Sequence, residues 1–466
     1  MKLRTLLLAV AAITSSTLTA SGPFVSIFRN DNNFNFIKLS PGARISHSEA
    51  GDSWVVNVAD KDGTPQCNLP VEVIESVQVR DSDIPTIYFT LTDYPDAENL
   101  WDKELYMQTQ MRIEGNGYCE DADGLELKIK GRGNSSWLAP KKPIRLKFDK
   151  KTQLLDFTKA KSYVLLANYY DETLCRNALA LHTASLLDLP YTNTFHPCNV
   201  VLNGHELGTY LLTEKIGINK ASVDIDEEKG ILFEMSNEND EKYKFHSATY
   251  GMPVMVKDPD LDELFENSTE QTPEGWLQLW RADFEEAERG IKAGKADEYF
   301  DMDNFVDYYL LYNFCCNSEL SHPKSEYIYK TELGRSAKYI HGPVWDFDMA
   351  FTVLWELEGD GLPNAHRRIE LNALDRALTE TESFKTKYRA RLQEFIDTVY
   401  PGIEKWLEEY ATLILPSAKR DGLLWTEKYY TGWCWRVSGF DAEYRVGLLK
   451  QYLRERIEFM KDQCGL

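Results

Sequence analysis

The stretch KIKGRGNSSWLAPKKPIRLKFDKK, Lys128 to Lys151, decides how the middle of this chain folds. Leu125, Leu127 and Ile129 alternate with Lys128 and Lys130 at its start; Ile144, Leu146 and Phe148 alternate with Arg145 and Lys147 at its end. Period-two alternation makes two strands, each with an apolar face for a core and a basic face turned away from it. Between them, Gly131 to Ser136 reads GRGNSS, a turn rich in backbone and hydroxyl donors. Such a turn can wrap phosphate oxygens while neighbouring strands aim cations at the same point. A solvated basic face is the plainer reading of the same residues. The phosphate-loop pattern GxxxxGK[ST] and the dinucleotide pattern GxGxxG are both absent.

Working outward, residues 21–83 alternate apolar and polar positions between Gly, Asn and Asp turns, which predicts a small β-rich N-terminal region. Residues 84–466 form the main domain. There, DETLCRNALALHTASLL predicts a helix capped by Asp171 or Thr173, and Asn203-Gly204 a hairpin. Thr272-Pro273 starts another helix, Asp301 or Asp303 a third, and three amphipathic segments fill residues 375–463. The expected class is α+β: an antiparallel sheet with helices gathered on one side and a helical C-terminal lobe.

The 466 residues, 43% hydrophobic and 12% aromatic, suffice for one large core or two moderate ones. Lys and Arg total 52 against 74 Asp and Glu, a net charge of −22, which argues against general affinity for nucleic acid or anionic membrane. An anionic ligand must be met by a local basic patch. Lys2 and Arg4, the apolar run Leu6 to Ile13 and small residues through Ala20 have the pattern of a cleavable secretory signal over residues 1–20. The expectation is an exported protein, periplasmic, cell-surface or secreted, with no transmembrane segment in the mature chain. Eight cysteines include no CxxC, and only Cys315-Cys316 are close, so neither a disulfide framework nor a zinc site is readable.

Two acidic motifs complete the picture. In HGPVWDFDMAF, Gly342-Pro343 stops a short strand and leaves Asp346 and Asp348 on a turn among aromatic residues. Two hard oxygen ligands there suit Mg2+ or Mn2+, which take one or two carboxylates plus substrate phosphates; a turn-capping Asp is the alternative. Ahead of it, NSELSHPKSEYIYK places Glu319 just after a helix end at Asn317, where a catalytic loop would sit, with His322 and Lys324 as substitutes.

The segments KIKGRGNSSWLAPKKPIRLKFDKK, YVLLANYYDETLCRNALA, VVLNGHELGTYLLTEKI and GPVWDFDMAF, in this order and spacing, resemble the spore-coat-protein-H-like (CotH) kinase family over about residues 85–460. The resemblance implies an atypical protein-kinase-like fold. It also implies transfer of the ATP γ-phosphate to Ser or Thr of exported proteins with Mg2+ or Mn2+. Asp346 would then hold metal beside Asp348, as the Asp of a kinase DFG does. Arg132, Lys142, Arg145 and Lys147 would be phosphate contacts; motif position favours Lys142, whereas strand parity puts Arg145 and Lys147 on one face. Glu214 would pair with a lysine or reach the metal. Arg176 matches the family's RN pair with Asn177, equally readable as a helix N-terminal network. The family's catalytic loop has Asp two residues after Asn, where this chain has Glu319. The added methylene moves the carboxylate by about 1 Å, enough to slow a positioned base. Two other readings stand beside the kinase: a non-catalytic envelope or surface module binding nucleotide or carbohydrate, and nucleotidyl transfer.

Overall fold

The computed structural model describes residues 24–30, 34–39, 43–50, 53–80, 83–351, 362–425 and 442–466. The expected signal segment, residues 1–20, lies outside them.

At the N-terminus, β1 (Phe24–Arg29), β2 (Phe34–Lys38), β3 (Arg44–Ala50), β4 (Ser53–Ala59), β5 (Pro65–Pro70) and β6 (Ile74–Arg80) form two three-stranded sheets, β2-β1-β6 and β3-β4-β5. Val25, Ile27, Val56, Val58 and Ile74 share one small core. Next come β7 (Thr86–Leu91), β8 (Met107–Glu114), β9 (Ala122–Gly131), β10 (Ile144–Thr152), β11 (Ala160–Leu166), β12 (Phe195–Leu202) and β13 (His205–Glu214). These seven close into a barrel, in the order β10-β11-β13-β12-β7-β8-β9. β12 and β7 run parallel, with Asn199 opposite Thr86, and the other neighbours are antiparallel.

The barrel corrects the single antiparallel sheet expected from the sequence. Alternation says which face of a strand is apolar, and an open sheet and a closed ring satisfy it equally. Closure removes the free edges and wraps the apolar faces around an interior. Leu127, Ile129, Ile144, Leu146 and Phe148 fill it, and their basic neighbours point outward. Asn203 and Gly204, at φ +48° and +85°, make the tight β12–β13 turn, whose two central positions both need positive φ.

A second sheet, ordered β15-β16-β14-β17-β18, is built from β14 (Ile231–Met235), β15 (Lys244–His246), β16 (Pro253–Asp258), β17 (Glu326–Lys330) and β18 (Ile340–His341). The longer helices are α1 (Arg176–Leu186), α2 (Pro273–Lys292), α3 (Met302–Cys315), α4 (Ala373–Thr379), α5 (Glu382–Glu394), α6 (Tyr400–Leu424) and α7 (Ala442–Cys464). The starts of α2 and α3 follow the sequence signals, whereas α1 begins at Arg176 with Cys175, rather than Asp171 or Thr173, in the cap position. Thr272 accepts from the Gly275 N–H, and of the two candidates before α3 it is Asp301 that accepts from the Asp303 and Asn304 N–H groups. Trp276, Trp280, Phe284 and Ile291 bury one stripe of α2 in the largest core, which also takes in α3 and the C-terminal helices. The class is therefore α+β with a helical C-terminal region. No helix among the described residues is long and apolar enough to cross a membrane.

A buried ion pair joins barrel and helices. Lys141, just before β10, and Asp421, on α6, bond to each other with both side chains 0% exposed. The Asp421 carboxylate also accepts from the Thr209 N–H of β13 at 2.9 Å. Removing one member of such a pair leaves a desolvated charge behind, at a cost of about 3–5 kcal/mol. Asp421→Ala should lose roughly that much in urea unfolding, and the double change Lys141→Met with Asp421→Leu should recover most of it; a single variant as stable as the parent would contradict this.

Candidate functional site

A cleft of about 360 Å3 opens between the outer face of the barrel and the second sheet. From the barrel side it is lined by the turn Gly131 to Ser136, by Lys130 and Arg145, and by Lys215 just past β13. Glu234, Lys257, Lys324, Glu319, Asp346 and Asp348 face them. The volume lies within the range of small-ligand sites.

The Asp346–Asp348 turn is held by side chains reaching its backbone. The Asn177 side-chain oxygen accepts from the Phe347 N–H at 2.8 Å, and Arg176 donates to the Asp348 carbonyl at 3.0 Å. Asn317 donates to the Asp346 carbonyl at 3.0 Å. Asn177 is itself fixed by Asn168, and Asp171 accepts from the Arg176 N–H at the start of α1. These bonds hold Asp346 at φ +65°, a left-handed conformation that favours Gly, Asn or Asp. The chain thus spends its RN pair on orienting the acidic turn. Arg176 is 1% exposed and does not line the cleft, which departs from the cofactor contact implied by resemblance.

Glu319 sits on a short 3-10 turn that begins where α3 ends, its N–H bonded to the Asn317 side chain at 3.1 Å. One amide therefore ties Glu319 and Asp346 together. Burial, then the charge of Asp346, push the Glu319 carboxyl up to about 9. The same two causes, in the same order, raise Asp348 well above the carboxylate range. Both shifts come from negative charges gathered where water is scarce, and a cation placed among them would reverse the shifts. Two atoms at the cleft, Glu319 Oε2 and Arg145 Nε, are buried with no hydrogen-bond partner among the described residues.

No cluster of three or more His, Cys, Asp or Glu side chains among the described residues is arranged to hold a metal on its own. Mg2+ and Mn2+ sites commonly take one or two carboxylates and complete their shell with water and phosphate oxygens. Asp346 and Asp348 are the two carboxylates that could form such a pair, and Glu319, whose Oε2 is buried without a hydrogen-bond partner among the described residues, lines the same cleft.

The remaining sequence candidates divide. Arg132 lines the cleft with its guanidinium 5.7 Å from the Trp345 ring centre, drawn toward the Asp346 charge. Lys142 turns away to the Trp137 carbonyl at 2.8 Å, and Lys147 is exposed outside the cleft. Strand parity was right in that Arg145 and Lys147 share a face, but only Arg145 reaches the cleft. Glu214 lies outside its lining, bonded by Asn193 and Thr213. The neighbouring Lys215 takes the place at the cleft, its ammonium pulled down to about 8 by burial and by the charges of Arg145 and Lys257. In LLTEKI, successive side chains leave a strand on opposite sides, so the motif that drew attention to Glu214 carried Lys215 as well. Lys257 pairs with Glu234 at 2.7 Å, and Lys324 bonds both Glu238 and Ser135 at 3.0 Å, bridging the two walls. Nothing in the sequence set Lys257 or Glu234 apart, since the pairing between sheet strands that joins them is long-range.

A donor-rich turn and cations thus face a clamped acidic turn across one cleft. The family model for CotH kinase protein matches residues 129–460, from within β9 to within α7, and the chain belongs to that family. No curated protein matches the chain. Membership carries a kinase-like function.

Glu214 generates a pH prediction. Burial raises its carboxyl from 4.5 to about 7, so between these values the unfolded chain has lost the proton that the fold retains. Stability is therefore unaffected by this group below pH 4.5, falls as pH rises toward 7, and stays lower above it, by up to about 3 kcal/mol. Glu214→Gln should flatten that part of the stability profile and raise the urea midpoint at pH 8; an unchanged pH slope would contradict it.

Proposed function

We propose that this chain is an exported, divalent-metal-dependent protein kinase of atypical fold, moving the ATP γ-phosphate to a Ser or Thr hydroxyl of an extracytoplasmic protein. The observation that carries the reading is the opposition across one cleft of Arg132, Arg145 and Lys215 to Asp346, Asp348 and Glu319. A β-rich barrel on one side of the cleft, and a helical region that anchors the acidic turn on the other, support the kinase-like fold. Arg132, Arg145, Lys215 and the GRGNSS backbone hold and orient the phosphate chain. Asp346 and Asp348 would hold Mg2+ or Mn2+, which would supply positive charge to offset that of the phosphates. Glu319 takes the acceptor's hydroxyl proton as the new oxygen–phosphorus bond forms. The bond from the γ-phosphorus to its bridging oxygen breaks, and ADP leaves. With cationic charge in the cleft, Glu319 ionises more readily than it does beside Asp346 alone. Glu in place of the family's Asp is the feature that favours the alternative, a module that binds nucleotide without turning it over.

Asp346→Asn changes one charge at nearly constant volume, and Asn tolerates the left-handed backbone there. It should lower metal-dependent phosphotransfer by about 10²-fold or more while leaving the unfolding midpoint nearly unchanged. Equal turnover by parent and variant would remove Asp346 from the chemistry.

Glu319→Gln should keep nucleotide affinity and reduce phosphotransfer by about 10²-fold or more, with Glu319→Asp retaining or raising it. If all three turn over alike, the proton goes elsewhere; if all three bind ATP and none transfers phosphate, the chain is the binding module.

A further inference from the structure

The outer face of β9 and β10 carries cations in positions where a sheet normally avoids them. Lys130 stands directly opposite Arg145 in the ladder, and Lys128 directly opposite Lys147. Side chains so paired have Cβ atoms about 5 Å apart, and like charges there are destabilising. Three of the four crowd one ring: the Lys130, Lys147 and Arg145 head groups lie 5.0, 5.5 and 6.0 Å from the centre of Tyr106. A chain of net charge −22 has acids to spare, yet neutralisation here is thin. Lys128 meets Asp149 at 3.5 Å and Lys130 meets Glu104 at 3.9 Å, and those two acids are 84% and 82% exposed. Ion pairs of that kind contribute little.

The ladder starts at the cleft and runs away from it. Lys130 and Arg145 line the cleft, whereas Lys128 and Lys147, one cross-strand pair further along, do not. Nucleotide phosphates bound in the cleft therefore leave the outer pair unused. The two rows lie about 7 Å apart, the spacing of alternate side chains along an extended peptide.

We propose that this face docks an acidic, extended segment of the acceptor polypeptide, with carboxylates at alternate positions meeting the two rows while the hydroxyl residue enters the cleft. The inference rests on the kinase reading for what happens in the cleft and adds the class of acceptor. A short acidic peptide fits a patch this small, whereas an extended polyanion would also meet the repulsion of the rest of the surface.

Binding tests it apart from catalysis. A short fluorescent peptide bearing one Ser beside alternating Asp and Glu is compared, at about 0.1 M salt, with the same peptide carrying Asn and Gln. The acidic form should bind at least about 10-fold more tightly, and Lys128→Gln with Lys147→Gln should reduce that preference to within about 3-fold without changing ATP affinity. Because the double change relieves like-charge repulsion, its melting temperature should not fall, so lost binding cannot be lost folding. Equal binding of the two peptides, a preference that survives the double change, or equally tight binding of an oligonucleotide or phosphatidylserine vesicles would overturn the proposal. An acidic peptide that binds and is never phosphorylated would defeat the kinase reading and leave this one standing; phosphorylation of both peptides alike would do the reverse.

Discussion

Everything at the cleft depends on one constraint: three carboxyl groups must be kept close together where water is scarce. Burial and the Asp346 charge raise the Glu319 and Asp348 carboxyls, which registers that conflict. The chain resists it through backbone contacts. Asn177, Arg176 and Asn317 bind the Phe347 N–H and the Asp348 and Asp346 carbonyls, leaving the carboxylate oxygens turned to the cleft. Carboxylates in tension on one wall thus face cations on the other.

That arrangement explains why barrel and helical region are coupled through buried polar contacts. The turn hangs from α1 on one side and from the end of α3 on the other, so its geometry fails if the elements shift. Lys141 and Asp421 tie the barrel to α6, and Lys324 bonds Ser135 of the donor-rich turn, closing the two walls on each other. Charge is local in the same sense. Cations concentrate on one barrel face and in the cleft, although the chain as a whole is strongly acidic.

Much of this was readable from the residues. Alternation found β9 and β10 and which of their side chains face out, and caps at Thr272 and Asp301 placed α2 and α3. The DFD and NSE segments were picked out as acidic turns, and they do meet in one cleft. Barrel closure was not readable, because the β12–β7 pairing joins residues more than a hundred positions apart and local pattern carries no sign of it. Lys257 and Glu234 were missed for the same reason. Glu214 misled because a motif marks a neighbourhood, while alternation decides which of two adjacent residues enters the site; Lys142, which precedes β10, bonds the Trp137 carbonyl instead. Arg176 and Asn177 were noticed, and only the fold shows that both hold the acidic turn, Asn177 from the cleft wall and Arg176 from behind it.

The most direct measurement is incubation of the purified chain with ATP labelled on the γ-phosphate or on the α-phosphate, with Mg2+ or Mn2+, and an acceptor protein or the chain itself as substrate. A metal-dependent kinase gives γ-label on Ser or Thr, no α-label, and loss of the signal on chelation. Label from the α-phosphate on protein would mean nucleotidyl transfer, and no label from either, with ATP bound, would mean a binding module; each result contradicts the kinase.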